Sequence, residues 1–213
     1  MTYWSTVEPT ASFWDAGEYI TTASNLEVGH PPGAPLYQLM GAFFSIFAME
    51  ATNIALTINL MSVFASAFTI LFMFWSVTIL LSNLVKKNDT FTKNNQIAIL
   101  GSAVVASLTF AFTDSFWYSA VEAEVYAMAA FIMSVLFYAG LRWEGEMFTP
   151  RGDKWVGLIA FVIGLSFGVH FMGLLTIPAI GFLYFFKNYK KVTVKNFLIA
   201  NVVTVAILLF IFK

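Results

Sequence analysis

The sequence predicts an all-α fold, a polytopic transmembrane helix bundle with interfacial helices in its first outer loop, and three observations carry that prediction. Of 213 residues, 59% are hydrophobic and only 11% are charged, where soluble domains carry about 25% charged residues. Apolar runs long enough to cross a bilayer recur along the chain. The 11 Lys and Arg residues are gathered rather than scattered: Lys86, Lys87 and Lys93, then Arg142, Arg151 and Lys154, then Lys187, Lys190, Lys191 and Lys195, with Lys213 last. This composition excludes a water-soluble enzyme and a nucleic-acid binder. With no cysteine, disulfides, thiolate metal sites and a cysteine nucleophile are excluded as well. The opening residues hold Glu8, Asp15, Glu18 and Glu27 and no basic stretch, so they do not read as a cleavable signal peptide.

Residues 1–52 are expected to form an outer segment and residues 53–213 the bundle. Lys and Arg are retained on the cytoplasmic side during insertion, which makes the three basic clusters cytoplasmic loops and the opposite ends periplasmic or lumenal. Ser12 to Tyr19 reads as the start of an interfacial amphipathic helix, with Asp15, Glu18, Thr22 and Asn25 on a polar face and Phe13, Ala16, Ile20 and Ala23 on an apolar one. Gly29-His30-Pro31-Pro32-Gly33-Ala34-Pro35 is a stiff loop, with Pro35 suited to the first turn of the next helix. Residues 35–49 are short for a span, and a crossing there would put Lys86 and Lys87 outside. They are therefore expected to be interfacial or re-entrant.

Residues 53–85 make the first full span, 96–112 return outward, and 116–141 come back in as one helix. The stretch 155–186 lies between two basic clusters and needs an even number of crossings. Two short helices, 155–169 and 171–186, satisfy this by turning at Gly168-Val169-His170, with a kink expected at Pro178. Residues 196–212 begin another span. The chain starts in a polar outer segment and stops inside an apolar helix, as expected of part of a longer protein.

In this topology Glu8, Asp15, Glu18, Glu27, Glu50, Asp114, Glu122 and Glu124 lie on or near the outer face with His30 and His170. Asp89, Glu144, Glu146 and Asp153 fall in basic cytoplasmic loops, solvated. Ionisable groups at membrane depth are costly and point to function. Asp15 reads either as a general base, with Glu18 its neighbour or a metal ligand, or as the third position of a capping box begun by Ser12. His30 reads as a ligand for a phosphate, metal or hydroxyl, or as a backbone cap. Glu122 and Glu124, two apart, cannot share a face of a regular helix, whereas Tyr118, Glu122 and Tyr126 can; Ser119 to Glu122 has capping-box spacing and Asp114 could be an N-cap. His170 is a site residue or a simple interhelical hydrogen-bonding group. No zinc signature, dinucleotide fingerprint or P-loop occurs.

Four segments together resemble one family: Glu8-Pro9-Thr10 with Phe13-Trp14-Asp15-Ala16-Gly17-Glu18, then Val28 to Pro35, then Ala120-Val121-Glu122-Ala123-Glu124-Val125-Tyr126-Ala127, and Gly168-Val169-His170. The family is the large multi-spanning membrane family common in Bacteroidota whose animal relatives are protein O-mannosyltransferases, within the glycosyltransferase C superfamily. The resemblance implies a bacterial inner-membrane enzyme with a periplasmic catalytic face. It would move a sugar, mannose, from a polyprenyl-phosphate donor to a Ser or Thr hydroxyl of a protein or glycan, inverting the anomeric centre. Asp15 matches the family's base, with Glu18 beside it. His30 and His170 would orient donor phosphate or acceptor, and Glu122, Glu124 and Tyr126 would bind substrate or, for the glutamates, a divalent ion. The fragment alone is expected to be inactive, because its outer face has no Lys or Arg for the leaving phosphate. Two other classes stay open on the residues alone: an ion-coupled transporter, which would hold its acids near mid-membrane, and a non-catalytic scaffold.

Overall fold

The computed structural model describes residues 2–88 and 91–211; Asp89, Lys213 and the Lys87 side chain lie outside the described residues. Every regular element among the described residues is helical. In chain order they are α1 (Thr2–Ser5), α2 (Ala16–Asn25), α3 (Pro35–Ser45), α4 (Ile54–Asn88), α5 (Lys93–Ala111), α6 (Asp114–Val121), α7 (Val125–Glu146), α8 (Gly152–Ser166), α9 (Thr176–Asn188) and α10 (Val194–Ile211), with 3₁₀ turns at Ala51–Asn53 and Phe171–Leu175. Five segments among them are long and apolar enough to cross a membrane: Ala51–Lys86, Lys93–Ala111, Val125–Glu146, Phe171–Asn188 and Val194–Ile211. The expected polytopic bundle is formed, and the chain is a multi-pass membrane protein.

The core is built around α7. Val125, Met128, Ala129, Ile132, Leu136 and Ala139 make a buried stripe in one cluster with Tyr19, Ala34, Tyr37, Met61, Ile159 and Val169; α4, α8, α9 and the turn after α8 pack on this helix, and α2 and α3 join the same core through α4. The stripe recurs at helical spacing because one face of α7 meets protein while the other faces outward. Helix α4 runs parallel beside it, with the Phe72 ring 6.0 Å from Phe131 and 5.4 Å from Tyr138. By contrast α10 has no buried residue.

Helices α8 and α9 form a hairpin whose two open ends both return to the C-terminal end of α7. Trp155 Nε1 donates to Glu146 at 3.0 Å near the start of α8, and Lys187 Nζ donates to Glu144 at 2.6 Å near the end of α9. The second and third basic clusters thus share one end of the bundle, as the even number of crossings required. Two expectations are corrected here. Glu144 and Glu146 belong to α7 and are paired, not solvated in a loop; Glu146 also takes an ion pair from Arg142 at 3.0 Å. Pro178 is the third residue of α9, where its missing N–H has no intrahelical partner to lose, so it opens the helix instead of kinking it. At 15 residues α8 is about 22 Å long, and α9 has 13 residues, preceded by the Phe171–Leu175 turn.

At the other end, the N-terminal segment satisfies helix C-termini that would otherwise be open. The Tyr3 hydroxyl donates to Ala111 O, the last carbonyl of α5, at 2.7 Å. The Glu8 N–H donates to Val121 O, the last of α6, at 3.0 Å. Asn59 Nδ2, on a buried polar face of α4, holds Glu8 O and Thr10 O at 2.6 and 2.9 Å. These bonds account for a correction in the third span. Residues 116–141 are not one helix, because α6 ends at Val121, Glu122 and Glu124 are extended (φ −133° and −129°), and α7 starts at Val125. The face argument for Glu122, Glu124, Tyr118 and Tyr126 therefore fails. Ser119 donates to Ser115 O inside α6, and Thr113, not Asp114, is the N-cap residue, so neither suggested cap forms.

Candidate active site

Helix α2 begins at Ala16, later than Ser12 suggested. Trp14 adopts φ +61°, a left-handed conformation that no helix can pass through, so the chain enters α2 only at Asp15. Asp15 occupies the N-cap position with right-handed backbone, and among the described residues its side chain makes no capping bond. The capping-box reading is thereby overturned, and the Asp15 carboxylate is free for other work. Ser12 Oγ is buried without a partner among the described residues. Ala16, Ile20 and Ala23 form the buried face of α2 as expected, but Phe13 is 86% exposed and lies outside the helix.

The Gly29–Pro35 loop folds back so that His30 meets Glu18. The His30 main-chain N–H donates to Glu18 Oε1 at 2.6 Å, and His30 Nδ1 lies 3.1 Å from both carboxylate oxygens. These two contacts, backbone first, hold the Glu18 carboxyl below its ordinary range. Pro35 starts α3 as expected, and the next two amides, Leu36 N–H and Tyr37 N–H, donate to Gly168 O at 2.7 and 3.1 Å. That carbonyl belongs to the turn between α8 and α9. In this turn His170 Nδ1 accepts from Met172 N–H at 3.2 Å and so caps the Phe171–Leu175 turn, while its ring sits 5.4 Å from that of Tyr126.

These segments enclose a cavity of about 110 Å³ lined by Asp15, Tyr19, His30, Glu124, Tyr126 and His170 together with the Pro32–Ala34 loop, Val125 and Val169. Five of the seven candidates drawn from the sequence line it. Glu18 stands outside, bonded to His30, and Glu122 does not line it. Tyr19 was missed. It is four residues after Asp15 on the same helix face, the available signal, and its ring lies 5.9 Å from His30 and 5.1 Å from Tyr37. Among the described residues no Lys or Arg lines the cavity.

Glu124 sits at the N-cap of α7, 8% exposed. Burial, then the neighbouring charges of Asp15 and Glu122, push its carboxyl up to about 7. The same surroundings, burial foremost, push Tyr19 up to about 12, and burial lowers His170. The cavity therefore sets the exposed Asp15 side chain beside a carboxyl, that of Glu124, which holds a proton for part of the time at neutral pH. Among the described residues no three His, Asp or Glu side chains converge as a metal-ligand set, so the residues present do not fit the divalent ion that the sequence left open.

A stability consequence follows for Glu124. A carboxyl raised on folding keeps a proton that the unfolded chain releases, so stability erodes as pH climbs from about 4.5 to about 7. Glu124→Gln should flatten that window and melt higher than wild type above pH 7. Thermal midpoints in nanodiscs across the window check it, and parallel curves for the two proteins would sink it.

A family model described as the N-terminal domain of the protein O-mannosyl-transferase TMEM260 matches residues 15–193. The chain belongs to this family. Its matched range contains Asp15, Glu18, His30, Glu122, Glu124, Tyr126 and His170, and stops just before α10. Among curated relatives, the Dictyostelium discoideum protein O-mannosyl-transferase tmem260 is 24% identical over 198 residues, covering 87% of this chain and 22% of that protein. The Mus musculus protein O-mannosyl-transferase TMEM260 is 27% identical over 152 residues, covering 71% of this chain and 19% of that protein. The chain thus spans about a fifth of the length of these relatives. No solved structure matches it.

Proposed function

We propose that this chain carries the catalytic cavity of a membrane glycosyltransferase of the glycosyltransferase C type, working at the periplasmic face of a Bacteroidota inner membrane. Its donor is a polyprenyl-phosphate sugar, mannose, and its acceptor a Ser or Thr hydroxyl. The observation that carries this reading is Asp15, a carboxylate with no capping role, opening on the same cavity as Glu124, Tyr126 and both histidines in a chain of this family.

An alcohol is a weak nucleophile at neutral pH, and a positioned carboxylate that takes its proton during attack lowers the barrier. The acceptor oxygen bonds to the anomeric carbon from the face opposite the phosphate. The bond from that carbon to the phosphate oxygen breaks, and its electron pair leaves on polyprenyl phosphate. The hydroxyl proton passes to Asp15, and the anomeric configuration inverts. Glu124, neutral for part of the time, and Tyr126 offer hydrogen bonds to sugar hydroxyls, with Glu122 contributing charge from outside the cavity. The cavity lies at the N-terminal end of α7, not midway along it, unlike the midplane sites of transporters.

The test is transfer itself. The protein at its full native length, in nanodiscs, should move labelled mannose from polyprenyl-phosphate mannose to a Ser/Thr peptide and give the inverted linkage. Failure across several sugars and hydroxyl acceptors would overturn the reading.

A further inference from the structure

A leaving phosphate needs positive charge or aimed N–H donors, and the chain holds no Lys or Arg before Lys86. Among the described residues none lines the cavity. Two imidazoles do, and their hydrogen bonds place their ring hydrogens on different nitrogens.

A carboxylate only accepts hydrogen bonds. His30 Nδ1, 3.1 Å from both Glu18 oxygens, must therefore carry a hydrogen. A second proton can go only to Nε2, and the resulting imidazolium is charge-balanced by Glu18, which the His30 main-chain N–H also fixes in place. His170 is the reverse case. Its Nδ1 accepts the Met172 N–H, so the hydrogen of its neutral ring is on Nε2, and among the described residues no carboxylate is bonded to it. The charged or titratable groups sharing the cavity with the two rings are Asp15, Tyr19, Glu124 and Tyr126, with Glu18 behind His30.

We infer that His30, held by Glu18, is the cation that receives the phosphate of a lipid-phosphate donor, and that His170 serves the same phosphate or sugar as a neutral Nε2–H donor. Glu18 is then a positioning residue, one step removed from substrate. The inference rests on the glycosyl-transfer reading for the identity of the ligand, and its test is independent of sugar transfer.

The probe is farnesyl monophosphate, a lipid phosphate without sugar, titrated against the full-length protein in uncharged-lipid nanodiscs. His30→Gln should weaken binding about 10–100-fold, the range of a hydrogen bond to a charged group, and His30→Lys should recover most of it. Glu18→Gln should weaken binding less. On wild-type protein, ¹⁵N spectra of the histidines should show His30 protonated on both nitrogens with the phosphate bound, and His170 on Nε2 alone; this holds the inference to account even if His30→Gln does not fold. Unchanged binding in folded His30→Gln, or an unprotonated His30 Nδ1, would overturn it. Wild type that transfers mannose while phosphate binding ignores His30 sinks this inference and leaves the enzyme reading standing. Wild type that binds the phosphate through His30 yet glycosylates nothing does the opposite.

Discussion

Asp15→Asn should reduce mannose transfer about 10²–10⁴-fold, the usual contribution of a general base, and leave the fold intact. Asn has the shape of Asp and cannot take a proton. At most N-cap positions an altered side chain endangers a capping bond worth about 0.5–2 kcal/mol, but Asp15 makes none among the described residues. What remains is a negative charge beside a helix N-terminus, worth about 0.3–1 kcal/mol. Initial rates and thermal midpoints measured together separate the two roles. Equal rates would remove Asp15 from the chemistry. A lost rate with a collapsed midpoint would return it to structure.

Gly168→Ala should damage the site without touching any residue of the cavity chemistry. A Cβ at Gly168 would stand 2.7 Å from Leu36 Cβ and 3.3 Å from Leu36 N. Either α3 or the turn must move, at about 1–3 kcal/mol for the forced contact and about 1 kcal/mol for each hydrogen bond lost between the Leu36 and Tyr37 N–H groups and Gly168 O. The turn carries Val169 and His170, and α3 carries the loop with His30. Their mutual displacement should lower transfer by about 10²-fold if it reaches 1 Å. Gly164→Ala is the control. Nothing lies within 4 Å of the added Cβ, so transfer should be unchanged and helix α8 slightly more stable, by up to about 1 kcal/mol. If both variants behave alike, the contact between α3 and the Gly168 turn does not hold the site together.

The spans were legible because apolar length and clustered Lys and Arg are local, countable signals. The hairpin of α8 and α9 was legible for the same reason, since basic clusters flank it on both sides. The break at Glu122–Glu124 was not. Ser-Ala-Val-Glu-Ala-Glu-Val-Tyr contains neither Gly nor Pro, and the interruption is taken up by a bond from Glu8 to Val121, a partner far off in sequence. The left-handed turn at Trp14, which decides what Asp15 can do, also has no local announcement in a bulky residue. Glu18 and His30 were both singled out, yet their pairing across twelve positions needed the loop geometry. Tyr19 offers only its spacing from Asp15, and the closing of the loop on α2 makes it a wall of the cavity.

The bond from Leu36 to Gly168 also sets an order of events in synthesis. At about 5–20 residues per second, the translating ribosome needs roughly 7–26 s to add the 132 positions (168 − 36) that separate donor from acceptor. Through that interval the nascent outer segment has been made, but the carbonyl that receives two of its amides does not yet exist. Assembly of this end of the molecule therefore waits on membrane integration of the hairpin, and a chain stalled before that hairpin would be inserted, anchored and without a finished cavity.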